Sequence, residues 1–139
     1  MSDTAMKDWN QQVIEEFRAN AGNVSGPFEG APMVILTSTG AKSGEPRENP
    51  VMALLDGDDI VIFASKGGAP TNPDWYHNLL ANPEATVEIG TETLAVRARE
   101  ATGDERDALW TRQKATYPQF QGYEDGTSRV IPVIVLERV

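Results

Sequence analysis

The sequence contains no cysteine and a single histidine, His77. Without cysteine there is no disulfide framework, no thiolate metal site and no cysteine nucleophile. A zinc hydrolase without cysteine ligands usually needs two or three imidazoles, and a Ser-His-Asp triad would depend on His77 alone. The sequence therefore predicts no metal site, and it disfavours both zinc-dependent and serine-dependent hydrolysis.

Long apolar runs and positive charge are also scarce. No stretch approaches the roughly 20 apolar residues of a membrane-spanning helix, and the N-terminal residues lack the apolar core of a signal peptide. The 12 Lys and Arg residues face 21 Asp and Glu residues, which gives a net charge of −9 at pH 7. Nucleic-acid binding depends on neutralising phosphates, so this balance disfavours a nucleic-acid partner. We expect a cytoplasmic protein.

The rest of the composition is typical of a small globular protein. A chain of 139 residues with 40% hydrophobic residues is long enough to bury a core. We expect two parts, an N-terminal amphipathic helix with its connector over residues 1–30 and a main domain over residues 31–139.

The first helix is predicted over residues 5–20. Met6, Trp9, Val13 and Phe17 recur three or four residues apart, and Gly22 marks the end of the helix. This aromatic stripe has two interpretations. It packs on the body of the domain, or it forms a lid or a surface for lipid-soluble partners, which would bring the helix to a membrane.

Strand patterns dominate the remainder. An apolar run over 33–40 precedes two hairpins, over 49–68 with a turn at 56–59 and over 84–101, and a last strand covers 129–139. Pro132 in that last strand suits an edge or a bulge. Val87, Ile89, Leu94 and Val96 alternate along the second hairpin.

Two more helices are predicted, over 73–83 and 104–117. Trp75, Leu79 and Leu80 are expected to share a face of the first, and Asp104 is expected to cap the second. About six strands, mostly in hairpins, and no βαβ alternation indicate a mainly β fold with helices (α+β). We expect an antiparallel barrel or strongly curved sheet with peripheral helices.

The few cations of the central region cluster near turns. Between positions 32 and 70 they are Lys42, Arg47 and Lys66. The stretch "GAKSGEPR" combines two of them with glycines that expose backbone N–H groups, a combination that suits a phosphate. The alternative is a polar turn with solvated cations.

A second stretch, "ASKGG" over 64–68, follows the strand of the first hairpin. Two successive glycines allow a flat ligand to approach the backbone closely. The helix that follows has simpler interpretations: Trp75 packs in the core, His77 faces solvent, and Asn78 caps backbone groups of the preceding loop.

Three stretches together resemble the deazaflavin-dependent nitroreductase family, whose members use the reduced 8-hydroxy-5-deazaflavin coenzyme F420. They are "LTSTGAKSGEPRENPVM" (36–52), "ASKGGAPTNPDWYHNLLANP" (64–83) and "VIPVIVL" (130–136), and the resemblance spans roughly residues 30–138. It implies a split β-barrel of about six antiparallel strands. It also implies an oxidoreductase that transfers a hydride from reduced F420 to a flat acceptor such as a quinone or nitroaromatic compound (nitroimidazole).

The resemblance assigns the coenzyme to three regions. The first loop would hold the phosphate and the acidic tail, the 50–52 and 64–68 segments would border the deazaflavin ring, and the following helix would close the groove. The positions concerned are Lys42, Ser43, Arg47, Pro50, Val51, Met52, Ala64, Ser65, Lys66, Gly67, Gly68, Trp75 and Asn78.

The resemblance also assigns the acceptor side. Ser65 would stabilise negative charge developing on the acceptor, and Tyr117 or Tyr123 would supply a proton, with solvent as an equal candidate. These three residues are the catalytic candidates, and Met52 and Phe120 complete the predicted substrate pocket.

The chain departs from the family pattern at three of these points. Ala41, Met52 and Phe120 stand where the family often has an arginine and two tyrosines. The resemblance therefore supports coenzyme use more strongly than it supports nitroimidazole reduction.

Two other functions remain open from the sequence. The same groove would serve a non-enzymatic F420 carrier, and the same fold accommodates proteins that bind flavin mononucleotide or heme. The sequence fixes neither the physiological acceptor nor the oligomeric state.

Overall fold

Six strands and four helices make up the part of the chain described by a computed structural model, residues 3–22, 32–65 and 71–139, with side chains described from residue 10 onward. The strands are β1 Met33–Thr39, β2 Pro46–Asp56, β3 Asp59–Phe63, β4 Glu84–Ile89, β5 Glu92–Glu100 and β6 Val133–Arg138. The helices are α1 Asp3–Ala19, α2 Asp74–Ala81, α3 Gly103–Thr116 and α4 Gln119–Asp125.

The strands form a closed antiparallel barrel in the order β1-β2-β3-β6-β5-β4. This confirms the predicted mainly β fold with hairpins and peripheral helices. Of the alternating residues of the second hairpin, Val87 and Val96 belong to the cluster of side chains that fills the barrel, and Ile89 and Leu94 pack against it. Alternation placed them correctly because successive side chains of a strand point to opposite faces.

β2 is longer than the strands beside it, and its first half extends beyond its pairing with β3. β1 pairs with β2 from Met33↔Met52 to Thr39↔Pro46, whereas β3 pairs only with Ala53–Asp56. Within the described residues, the stretch Pro46–Met52 therefore forms ladder pairs on one edge only. We call the surface along the other edge of this stretch the β2 groove.

The last strand is central, not an edge. β6 pairs with β3 on one side and with β5 on the other. Pro132 lies immediately before this strand, where Ala64 donates its N–H to the Pro132 carbonyl at 3.0 Å. The expectation of an edge strand or bulge at Pro132 is therefore wrong: the proline stands where a ladder ends.

α2 closes one end of the barrel. Trp75 and Leu79 are 5% and 4% exposed and belong to the barrel cluster. Leu80 is 59% exposed, so the predicted shared face is wrong for this residue. It follows Trp75 by five positions, which turns it about 140° around the helix.

α1 packs on the outer face of β1. Ile14 and Phe17 are buried against Met33 and Ile35, and Val13 and Met52 border this cluster. Phe17 and Val13 confirm their part of the predicted stripe, while the side chains of Met6 and Trp9 lie outside the described residues. The helix thus follows the first interpretation, packing on the body of the domain.

Gly22 completes the end of α1, as predicted. Its N–H donates to the Phe17 carbonyl at 2.8 Å, and its φ of +94° lies in the region that favours glycine. A Cβ on Gly22 would lie 2.8 Å from the Cα of Gly90 in the β4–β5 turn. No helix among the described residues is long and apolar enough to cross a membrane.

α3 and α4 cover the outer face of β3 and β6. Leu109, Trp110 and Phe120 join Phe63 and Val133 in a second cluster. α4 was not predicted. Thr102 takes the N-cap position of α3 and Asp104 lies in the first turn, so the predicted cap is wrong by two residues, although an acid there still favours the helix dipole.

Candidate functional site

The β2 groove connects two regions that the sequence singled out. The loop over 40–45 lies at one end, where β2 begins. The segment that follows β3 leaves beside the other end, where continuation of the β2–β3 register sets Ala64 level with Val51. From Arg47 to Met52 the strand spans about 17 Å at roughly 3.3 Å per residue. The groove is therefore long enough for an extended ligand.

Glycine shapes the loop end. A Cβ on Gly40 would lie 2.5 Å from the Ser43 hydroxyl oxygen, and Gly44 has a φ of +71°. The Gly40 N–H donates to the Glu45 carbonyl at 2.8 Å, and the Gly44 N–H donates to the Gly40 carbonyl at 2.9 Å. These bonds fold the loop into a tight turn.

Asn78 attaches this turn to α2. Its Oδ1 accepts the N–H of Ala41 at 2.9 Å, and its Nδ2 donates to the hydroxyl of Ser38 at 3.3 Å. Asn78 and Ser38 are 7% and 1% exposed. Asn78 thus caps a loop, but among the described residues this is the loop after β1, distant in sequence, and not the predicted loop that precedes α2.

The cations of the turn face solvent. Lys42 is exposed, and the guanidinium of Arg47 donates to the Ser43 hydroxyl at 3.3 Å and lies 3.9 Å from the Glu45 carboxylate. Among the described residues, the backbone N–H groups of Lys42 and Ser43 form no hydrogen bond. Two cations and two available N–H groups thus converge on one turn, as an oxyanion site requires.

The opposite end of the groove is fixed by a residue that the sequence did not reveal. Arg129 donates from Nη1 to the Ala64 carbonyl at 3.0 Å and to Oδ1 of Asn72 at 2.7 Å, and from Nη2 to the Ser65 carbonyl at 2.8 Å. Burial lowers the pKa of Arg129. The guanidinium remains protonated because its intrinsic pKa is very high.

The predicted acceptor residues lie on the outer side of the same end. Met52, Tyr117 and Tyr123 are half-buried and border the cluster that contains Phe63 and Phe120. The ring of Phe63 lies 6.0 Å from that of Phe120, which lies 5.0 Å from that of Tyr123. Aromatic contacts thus connect α4 to the residue just before Ala64.

Phe120 is 4% exposed, so its ring supports the packing of Tyr123 and offers little surface of its own. Ser65 is 8% exposed at the end of β3. Trp75 packs inside the barrel, as its simpler interpretation predicted, and His77 is exposed, as predicted. Lys66, Gly67 and Gly68 lie outside the described residues, so their predicted role stays a prediction.

Gln113 is a further polar residue that the sequence did not single out. It is 0% exposed on the buried face of α3, and among the described residues neither atom of its amide forms a hydrogen bond. Its helical neighbours Leu109, Trp110 and Tyr117 belong to or border the aromatic cluster. A sequence signal was absent because "WTRQKAT" reads as a polar stretch of helix.

A separate cavity of about 450 Å³ lies on the other side of β1, near the start of β4. Its described lining is largely threonine and alanine, with Glu84 as the acidic side chain among those residues. Pro46, the first residue of β2, also lines it, but its described lining includes none of the predicted cofactor or acceptor residues. The cations, the turn and the aromatic cluster all favour the β2 groove as the functional site.

Comparison with known proteins identifies the family to which the chain is similar. A family model described as F420H(2)-dependent quinone reductase matches residues 9–138. An F420H(2)-dependent quinone reductase of Mycobacterium tuberculosis (strain H37Rv) is 37% identical over 126 residues, which cover 88% of this chain and 85% of that protein.

Two solved structures are similar over most of the fold. An F420-H2 dependent reductase (FDR-A) is 41% identical, with a TM-score of 0.71 over 76% of this chain and 94% of that chain. A second structure, described as a domain-swapped dimer, is 36% identical, with a TM-score of 0.72 over 98% of this chain and 100% of that chain.

Proposed function

The chain belongs to the F420H(2)-dependent quinone reductase family, and on this premise we propose that it binds reduced coenzyme F420 and reduces a quinone. The observation that carries the proposal is the difference between the two ends of the β2 groove. A cationic turn stands at one end, and a compact, mostly uncharged segment flanked by aromatic residues stands at the other. An elongated ligand with an anionic tail and a flat ring matches that arrangement.

The turn after β1 fits the anionic part of the coenzyme. Lys42 and Arg47 supply charge, Ser43 supplies a hydroxyl, and the N–H groups of Lys42 and Ser43 are available. Charge-assisted hydrogen bonds of this kind are the strong ones in proteins. Asn78 would act from behind, because both ends of its amide are engaged in holding the turn to α2 and β1.

The segment at the end of β3 fits the ring. Pro50, Val51 and Met52 form the adjacent stretch of β2. Ala64 is fully buried in the barrel cluster, so this segment would meet the ring through its backbone. When bound, the reduced coenzyme supplies a hydride. The protein's task is to hold the ring and a flat acceptor about 3–3.5 Å apart.

The polar groups near this end have distinct roles in the proposal. The Ser65 hydroxyl would donate a hydrogen bond to an acceptor oxygen as negative charge develops there. Tyr117 or Tyr123 would deliver the proton that completes reduction, with solvent as the alternative. Phe120 packs edge to face against Phe63 and Trp110 behind them, and these rings would keep water out.

The choice of acceptor is the finer part of the proposal. A quinone is supported by the family, whereas reduction of a nitroaromatic compound rests on the resemblance and on the flat shape that both compounds share. Because Met52 and Phe120 stand where the family often has tyrosines, this chain has fewer phenol groups near the bound quinone or nitroaromatic compound. We propose a pocket that favours quinones over nitroimidazoles.

A cytoplasmic location with membrane contact through α1 also remains a proposal. Val13 of α1 and Met52 of β2 border the same hydrophobic cluster. The helix therefore lies beside the end of the β2 groove at which Met52 stands, the end proposed to hold the ring and the quinone. A quinone with a long apolar tail would place that tail near this helix. The observation gives α1 a purpose beyond packing.

The test is a titration of the purified protein with F420, followed by tryptophan fluorescence. Lys42→Ala combined with Arg47→Ala should weaken binding by roughly ten- to a hundredfold, because each charged hydrogen bond contributes about 1.5–3 kcal/mol before exposure to solvent reduces it. Arg97→Ala with Arg138→Ala removes the same charge elsewhere and should bind F420 as the parent protein does.

The titration also separates the competing functions. Absence of binding at micromolar F420 would end the proposal, and equal affinity in the two double variants would move the anionic site away from the turn. Binding without oxidation by a panel of quinones would indicate a carrier. A flavin spectrum or a Soret band in the purified protein would indicate flavin mononucleotide or heme.

A further inference from the structure

The β3–β6 ladder ends at Pro132, because proline has no backbone N–H to donate. Ala64 donates its N–H to the Pro132 carbonyl at 3.0 Å, one step beyond the pair Phe63↔Val133. In an antiparallel ladder, such a pair normally exchanges two hydrogen bonds. Proline has no N–H, so the ladder cannot supply a donor to the Ala64 carbonyl at this step.

Arg129 supplies that donor from its side chain. Its Nη1 bonds the Ala64 carbonyl, and its Nη2 bonds the next carbonyl along, that of Ser65. Consecutive carbonyls of a regular strand point in opposite directions. Two that meet one guanidinium therefore show that the backbone has left the strand, and the planar fork holds it in the new direction.

The same guanidinium reaches across to the start of α2. Nη1 also donates to Oδ1 of Asn72, which immediately precedes the N-cap residue Pro73. One side chain thus joins the end of β3 to the start of α2, two points that flank the ring end of the β2 groove. The three acceptors among the described residues are two backbone carbonyls and one side-chain amide.

We propose that Arg129 is a positioning residue for the reaction, which fixes the Ala64–Ser65 backbone against the ring of the bound coenzyme. The inference rests on the proposed function, since it concerns the ring end of the same groove. Arg129 would act through the backbone it holds, without touching the reacting atoms. Pro132 belongs to the device, because it removes the ladder donor that would otherwise keep Ala64 in the sheet.

The test compares Arg129→Gln and Arg129→Lys with Arg138→Gln. Arg138 also donates to a backbone carbonyl, that of Asp58 at 3.1 Å, but in the β2–β3 turn. The first measurement is hydrogen exchange of residues 60–65 without ligand. The second is F420 affinity, and the third is kcat with a soluble quinone.

In Arg129→Gln, the backbone amide hydrogens at the end of β3 should exchange faster. Its kcat should fall ten- to a hundredfold, the scale expected for a misplaced reacting group. Arg129→Lys should fall between, because an ammonium lacks the fork that reaches three acceptors. Arg138→Gln should match the parent protein in all three measurements. Adding Pro132→Ala to Arg129→Gln returns an N–H donor at this step and should restore part of the exchange protection.

Two results would overturn the inference: unchanged exchange in Arg129→Gln, or faster exchange with unchanged affinity and kcat. If Arg129→Gln does not fold, the same criteria apply to Arg129→Lys. Failure of the parent protein to bind F420 would instead refute the proposed function, and the exchange data would still decide whether Arg129 holds the segment.

Discussion

At the scale of single residues, the unusual feature is the use of polar side chains to bond backbone groups where the strand ladders end. Asn78 and Arg129 both sit where backbone groups have lost their ladder partners, and both satisfy those groups from a side chain. A buried backbone carbonyl or N–H without a partner is costly. These two side chains therefore let the backbone leave the barrel at both ends of the groove without that cost.

Gln113 is the opposite case. Its amide is fully buried in an apolar cluster, and within the described residues it has no hydrogen-bond partner. Replacing it with methionine, which has a similar length, should raise the free energy of unfolding by about 1–2 kcal/mol, because the cost of an unsatisfied amide disappears. Urea unfolding of Gln113→Met measures this.

The matched control is Gln12→Met, since Gln12 is exposed on α1 and its replacement should change stability little. A loss of stability in Gln113→Met would contradict the prediction. It would mean that the amide is satisfied in solution, as by a buried water.

At the scale of elements, α1 is attached by charge as well as by packing. The Arg18 guanidinium bonds both Glu88 on β4 and Glu48 on β2. The bond from Arg18 lowers the pKa of the Glu88 carboxyl, although burial acts against it. A carboxyl whose pKa is lower in the folded state stabilises the folded protein at pH values above its unfolded pKa, near 4.3. That contribution is lost as the pH falls through the folded-state pKa.

Arg18→Met should therefore lower the free energy of unfolding by about 0.5–1 kcal/mol at pH 7, the range for partly exposed ion pairs. The difference from the parent protein should shrink as pH falls below about 4. Urea unfolding at pH 7, 5 and 4 measures it. Arg97→Met, an exposed cation on β5, is the control, and a difference that persists at low pH would show that packing of the side chain, and not charge, is lost.

The elements also show what the sequence can predict. The hairpins were predicted because their pattern is local: Val87 and Leu94 alternate with polar residues around a glycine turn. α4 was missed because it has seven residues, follows Pro118 and contains Gly122, all of which weaken a helical pattern.

The candidate site divides in the same way. Lys42 and Arg47 were found because they share one turn with glycines. Arg129 was missed because the backbone carbonyls that it bonds, those of Ala64 and Ser65, are 65 and 64 residues away. The missing N–H donor at Pro132 is also visible only once the β3–β6 register is known. Contacts that depend on register have no signature in a single sequence.

At the scale of the whole molecule, the local cations work against the overall charge. The chain carries −9, while the proposed ligand has an anionic tail. Attraction to Lys42 and Arg47 must therefore overcome a longer-range repulsion. Salt screens charges beyond about 8–10 Å at physiological ionic strength and weakens the closer, solvent-exposed attraction as well.

The affinity gap between the parent protein and the Lys42→Ala/Arg47→Ala variant should therefore narrow as salt rises from 20 to 500 mM, roughly severalfold over that range. F420 titrations at several salt concentrations measure the gap. A gap that does not change with salt would indicate that the substitutions distort the turn and do not simply remove charge.

The position of β6 between β3 and β5 has a consequence for how the protein is made. The first five strands can form hairpins as they leave the ribosome, but the barrel cannot close until β6 has been synthesised and inserted. Until then β3 and β5 present open edges, which are sites of aggregation. Arg129 and Pro132 arrive with β6, so the groove acquires its final shape only in the last step of folding.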